Sequence, residues 1–142
     1  MTGSTGPGSP GATPFDPAST YVEVADGGRA TAIPVDSGFW PSLMDGSRRI
    51  DGRLLAAFDL DGDMRHWERH PAGEELIVLV SGAVDLIVET PDGRHETVAL
   101  RAEAPAVLVP AGLWHRFVVH EPGRALFLTA GEGTEHRPAD PA

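Results

Sequence analysis

The chain contains no cysteine and no lysine. Without cysteine there is no disulfide framework, no thiolate catalysis and no Cys-type zinc site. Any metal would have to sit on His, Asp or Glu, donors that suit Fe, Mn, Ni or Zn rather than Cu(I). Positive charge is also scarce. All eleven basic residues are arginine, and the formal net charge is −10. An acidic surface repels nucleic acid and anionic membranes, which argues against both as partners. No run of 18 apolar residues occurs, which argues against a transmembrane helix. The stretch from Met1 to Ala18 lacks the basic and apolar regions of a signal peptide, so the expected location is cytoplasmic.

What is present fits one domain. The chain has 142 residues, 41% of them hydrophobic, enough to close one core unaided. Residues 1–19 are nearly all Gly, Ser, Thr, Pro and Ala. Such a stretch buries too little apolar surface to offset its ordering entropy and is expected to be a disordered tail. The expected domain covers 20–130, and 131–142, polar throughout, is expected to be loose.

Between these tails the pattern is that of short strands. Tyr21–Val24 and Thr31–Val35 read as edge strands around the Asp26-Gly27-Gly28 turn, with Pro34 confining the second to an edge. Ser37 to Ser47 reads as irregular. Further strands are expected at Leu54–Leu60, Met64–His70, Glu75–Val80, Ala83–Thr90, His95–Leu100, Ala106–Val109, Arg116–His120 and Arg124–Thr129. In Ala83–Thr90, Val84, Leu86 and Val88 alternate with Asp85, Ile87 and Glu89. No window shows an apolar period of 3.6 residues over three turns. The pattern predicts an all-β sandwich or barrel.

Two stretches carry chemistry: Trp67-Glu68-Arg69-His70-Pro71-Ala72-Gly73-Glu74-Glu75, and Pro110-Ala111-Gly112-Leu113-Trp114-His115 about 40 residues later. On a strand, His66, Glu68 and His70 share one face, and Trp67 and Arg69 the other. Glu68 and His70 are roughly 6.6 Å apart along the strand, close enough to converge on one ion, whereas His66 and His70 are roughly 13 Å apart. Glu75 returns from the neighbouring strand and can face His70. His115 follows a Pro-x-Gly turn that aims it from a separate strand. Each has a plainer reading. His70 can end a strand before Pro71, Glu75 can be a solvated turn carboxylate, His115 can pack at a barrel rim, and Glu68 can pair with Arg69 or Arg116. Trp67 and Trp114 read as core or rim packing, His66 as a rim histidine, and His95, His120 and His136 as surface residues.

The two stretches resemble the motifs of the cupin superfamily. The first motif reads Gly-x5-His-x-His-x(3,4)-Glu-x6-Gly. Glu68, His70, Glu75 and Gly82 follow that spacing, with Glu68 in place of the first histidine. The second reads Gly-x5-Pro-x-Gly-x2-His-x3-Asn. Pro110, Gly112 and His115 match it, with Ala104 for the glycine and Val119 for the asparagine. The resemblance covers roughly residues 50–130. It implies a double-stranded β-helix, or jelly-roll barrel, with His70, Glu75 and His115 as metal ligands and Glu68 as a fourth ligand or a catalytic base. Such a donor set implies Fe(II) or Mn(II), with Zn or Ni as alternatives. The implied function is a metal-dependent enzyme on a small organic molecule, either a non-haem oxygenase or a Lewis-acid isomerase or cyclase. A non-catalytic module binding a metal or small molecule is the alternative. A metal-free acid–base isomerase would need a His–Asp or Tyr pair, and the sequence shows none clearly. With the edge strands near Tyr21–Val35, the resemblance also implies a homodimer.

Overall fold

The computed structural model describes residues 12–139. Most of the expected N-terminal tail (1–11) and the last three residues (140–142) lie outside the described residues. The described chain forms eleven strands and one short helix. They are β1 (Thr20–Val24), β2 (Ala30–Pro34), α1 (Phe39–Met44), β3 (Arg53–Leu60), β4 (His66–Arg69), β5 (Glu75–Leu79), β6 (Ala83–Glu89), β7 (His95–Leu100), β8 (Ala106–Val109), β9 (His115–Glu121), β10 (Gly123–Ala130) and β11 (Glu135–Pro138).

These strands make two antiparallel sheets, in the orders β2-β1-β3-β10-β5-β8 and β11-β4-β9-β6-β7. The apolar alternation explains how the sheets meet. Val84, Leu86 and Val88 of β6 are buried, while the residues between them are not. They pack with Ile77 and Leu79 of β5, Leu100, Val109, Phe117 and Ala125 in one core between the sheets. Burying that apolar area is the main term holding the two layers together. The result is an all-β jelly-roll barrel.

Two turns meet back to back where the layers join. Gly82 has φ +89°, and a Cβ there would lie 2.6 Å from the Glu121 carbonyl oxygen. A Cβ on Gly123 would lie 1.9 Å from the Ser81 carbonyl oxygen. Only glycine fits either position, which fixes the crossing of the β5–β6 and β9–β10 turns.

Two sequence expectations need correction. Ser37–Ser47 is not wholly irregular, because Phe39–Met44 is a helix. Its six residues are too few to show a period, and Phe39 anchors it. That ring is buried and stands edge-on to Tyr21, centroids 5.2 Å apart. Nor is the segment from 131 loose throughout. Glu135–Pro138 is a strand paired antiparallel to β4, with His136 opposite Glu68 and Arg137 opposite Trp67.

The cause of that second departure is side-chain stacking on the outer face. Arg137 lies over Trp67 and Trp114, at 5.2 and 4.7 Å from the ring centroids, and Arg69 lies 4.5 Å from that of Trp114. Arg116 stacks on the same Trp67 at 5.4 Å. Cation–π contacts of this kind hold polar strands that have little apolar surface to bury. Salt bridges Arg69–Glu135 and Arg137–Glu89 flank the ladder. The tryptophans therefore pack, as the sequence suggested.

Candidate metal centre

Besides Tyr21, three ionisable side chains are buried in the described chain: His70, Glu75 and His115. They come from different elements. His70 directly follows β4, Glu75 opens β5 and His115 opens β9. β5 lies in one sheet and β4 and β9 in the other, so the cluster bridges the layers. The Gly112 N–H donates to the His70 carbonyl at 3.1 Å, tying the turn before His115 to the turn after β4.

Glu75 is the centre of the group. Its Oε1 lies 3.0 Å from His115 Nε2, and its Oε2 lies 3.3 Å from His70 Nε2. Around an ion held at about 2.1 Å, tetrahedral ligand atoms would stand about 3.4 Å apart and adjacent octahedral ones about 3.0 Å. The observed spacings fall in that range. Each donor is also held from behind. Thr129 donates its hydroxyl to Glu75 Oε2 at 2.6 Å. His70 Nδ1 is 2.9 Å from Thr134 Oγ1, and His115 Nδ1 is 2.9 Å from the Leu113 carbonyl oxygen.

The Leu113 contact sets the protonation. A carbonyl only accepts, so His115 Nδ1 carries a hydrogen. A neutral His115 would then aim a lone pair from Nε2 at the Glu75 carboxylate, acceptor against acceptor. The contact needs a cation: a proton on Nε2 or a metal ion in its place. Burial lowers the His115 pKa, but the hydrogen bond to Glu75 and that carboxylate's charge, with smaller help from the Leu113 carbonyl and Glu68, outweigh it and raise it. Burial likewise pushes Glu75 up, and the hydrogen bond from His115 together with the nearby His70 and His115 imidazoles overcomes that and holds it at about 2. His70 Nε2 is buried and has no hydrogen-bond partner. Two imidazoles and one carboxylate, with one nitrogen unpartnered and aimed inward, are a donor set that fits a divalent ion.

Glu68 sits at the edge of this group. It faces His115 across the β4–β9 pair, and its Oε1 is 3.9 Å from His70 Nε2. Its other neighbours are His66 and His136, at 3.6 and 3.9 Å. Neither arginine considered from sequence is its partner: Arg69 pairs with Glu135, and Arg116 stacks on Trp67. Sequence reasoning missed Thr129 and Thr134, whose hydroxyls brace the buried donors. It also saw no His–Asp pair, whereas His120 Nε2 lies 2.7 Å from Asp85 Oδ2. That pair belongs to the opposite side of β6 from the buried Val84 and Leu86 and takes no part in the interior cluster.

No family model matches the chain, and no curated protein matches it in sequence. Its fold does match solved structures. An oxalate decarboxylase is 23% identical over 61% of this chain and 24% of its own, with a TM-score of 0.50. Peruvianin-I, described as a cysteine peptidase from Thevetia peruviana latex, is 18% identical over 63% of this chain and 58% of its own, with a TM-score of 0.51. A cupin-2 domain protein from Shewanella frigidimarina is 14% identical over 58% and 74%, with a TM-score of 0.47. What is shared is the fold, a jelly-roll barrel of the cupin type. At such identities the likeness concerns the cupin barrel alone, and this chain spans less than two thirds of the first two proteins' lengths. The cupin barrel hosts many chemistries, so function has to be argued from the site. Among the described residues, no helix is long and apolar enough to cross a membrane.

Proposed function

We propose that this cupin barrel is a divalent-metal-dependent enzyme acting on a small organic molecule, with His70, Glu75 and His115 as the metal ligands. The observation that supports it is the buried His70–Glu75–His115 cluster, with Glu75 Oε1 held 3.0 Å from His115 Nε2 and His115 Nδ1 already committed to a carbonyl. When bound, an Fe(II) or Mn(II) ion would supply Lewis-acid polarisation or one-electron chemistry toward an enol, keto or carboxylate group. The chain's own residues do the rest. Thr129, Thr134 and the Leu113 carbonyl fix the orientation of the donors, which keeps their geometry set before the ion arrives. Glu68 is the one member of the group with substantial exposure, 28% of its side chain. It stands at the approach to the three buried donors and serves there as a fourth ligand or as the base that takes a substrate proton.

The non-catalytic reading draws on a specific observation as well: His70, Glu75 and His115 are 4, 5 and 2% exposed, which leaves a substrate little direct access. Elemental analysis of untagged protein, grown with Fe, Mn, Ni and Zn available, tests the proposal beside His70→Ala and His115→Ala. Near-stoichiometric metal, lost in both variants, is the expected result. Absence of metal from folded wild type would overturn the ligand assignment. Glu68→Gln then separates its roles: loss of metal marks a ligand, and retained metal with lost turnover of a keto or enol substrate marks a base. Metal bound with no turnover or dioxygen uptake across such substrates would leave the binding module as the function. The proposal includes a homodimer paired through the free edge of β2, one of the two outermost strands of its sheet.

A further inference from the structure

The two faces of the β4–β11 ribbon are chemically opposite. One carries the Trp–Arg ladder. The other carries His66 and Glu68 two residues apart on β4, with His136 directly opposite Glu68 on β11. Neighbours of this kind on one face of an antiparallel pair have Cβ atoms roughly 5 Å apart directly across the ribbon. The three side chains converge accordingly. Glu68 Oε2 is 3.6 Å from His66 Nε2, and Glu68 Oε1 is 3.9 Å from His136 Nε2. The two imidazole rings lie 5.2 Å apart, and one ligand atom from each residue lies within 4.8 Å of the others.

These separations are informative because they are too long for hydrogen bonds. Among the described residues, neither imidazole has a hydrogen-bond partner for its ring nitrogens. A histidine seeking a carboxylate on an open surface would close to about 2.8 Å. Distances of 3.6 and 3.9 Å lie between the adjacent and opposite ligand spacings, about 3.0 and 4.2 Å, around an octahedral ion with bonds of about 2.1 Å. Two imidazoles and a carboxylate form a donor set that N/O-preferring divalent cations take up. The group is 28–50% exposed, so a bound ion would keep water at its remaining positions.

We propose that His66, Glu68 and His136 form a second divalent-cation site, at the mouth of the barrel and separate from the buried His70–Glu75–His115 cluster. It stands on its own three residues and holds whether or not the buried cluster binds metal. Glu68 belongs to both groups, because its Oε1 is 3.9 Å from His70 Nε2 and equally far from His136 Nε2. With both sites filled, Glu68 would be the residue shared between them, as in two-metal centres.

The test is Zn(II) titration of chelator-stripped, untagged full-length protein, read by equilibrium dialysis with elemental analysis. The variants are His66→Ala, His136→Ala and His115→Ala, with circular dichroism confirming each fold. The proposal expects two equivalents in wild type, one in either rim variant and one in His115→Ala. If the buried cluster binds nothing, the proposal still expects one equivalent, lost in His66→Ala and in His136→Ala but kept in His115→Ala. Unchanged stoichiometry in both rim variants overturns the second site. So does a second equivalent that survives the His66→Ala/His136→Ala double variant, since that ion would then be bound elsewhere. Mn(II) loading tests the shared carboxylate: two equivalents should give an exchange-coupled resonance signal that reverts to that of isolated Mn(II) in His136→Ala. Isolated signals in doubly loaded wild type would overturn the sharing of Glu68.

Discussion

The Leu113 carbonyl decides the state of His115, and His115 decides that of Glu75. Without metal the pair is held by a proton, so its stability depends on pH in two directions. Glu75 has a folded pKa of about 2, below its ordinary 4.5. Its contribution is complete above about pH 4.5 and is lost as pH falls through the folded value. His115 has a folded pKa raised above 6.5. Its contribution is complete below about pH 6.5 and is lost as pH rises through the raised value. Metal-stripped protein should therefore show its highest melting temperature between about pH 4.5 and 6.5, and His115→Ala should flatten the upper side of that profile. Metal binding replaces the proton, so calorimetry in buffers of different ionisation enthalpy should register release of about one proton near neutral pH. A buffer-independent enthalpy would contradict the proton-bridged pair. That His70, Glu75 and His115 would meet was implied by the resemblance of their two stretches to the cupin motifs, since strand alternation by itself related only His66, Glu68 and His70. Thr129 and Thr134 were not, because a hydroxyl gives no signal until its cross-strand or loop neighbour is known. Thr134→Val and Thr129→Val should each weaken metal affinity about 10- to 100-fold with little change in fold, measured by competition with a chromophoric chelator.

At the scale of elements, the strands between Arg53 and Ala130 were readable because β6 alternates cleanly and the turns are marked by Pro, Asp and Gly. Two elements were not. α1 is shorter than the window a helical period needs, and only the burial of Phe39 reveals why it forms. β11 has almost no apolar residue, and its pairing rests on Arg137 lying between two tryptophans that are far from it in sequence. Its importance exceeds its length, since it carries His136 and follows Thr134, the residue behind His70. Arg137→Ala should loosen the strand. Hydrogen exchange should speed up in β11 and β4 while β6 and β9 stay protected, and metal affinity should fall through loss of Thr134. Uniform protection in the variant would show that the ladder does not hold the strand. In the core the scale of effect differs. Leu86 is 0% exposed, and Leu86→Ala should cost about 2–5 kcal/mol in urea unfolding through the cavity it leaves.

For the molecule as a whole, an all-β sandwich or barrel followed from strand spacing and the absence of long helical periods, and the jelly roll from the resemblance to the cupin motifs. Which strand neighbours which did not. Local pattern is blind to pairings such as Arg53 with Ala130, since nothing near either residue names the other. The free edge of β2 bears on assembly. Light scattering on the eluting protein should give a mass twice that of one chain, and a single-chain mass would remove the dimer.

The long reach of those pairings also governs time. Glu75 and His115 are 40 residues apart, and His70 and Thr134 are 64 apart. Chains that must close such loops fold slowly, because the closure entropy is spent before the contacts are gained. The buried donors meet only once both layers are in place, so they come together after the folding barrier has been crossed. A bound ion should then act as a latch rather than a nucleus. Stripping it should accelerate unfolding in denaturant by stopped-flow fluorescence and leave the refolding limb where it was. Faster refolding with metal present would place the centre at the start of the pathway instead.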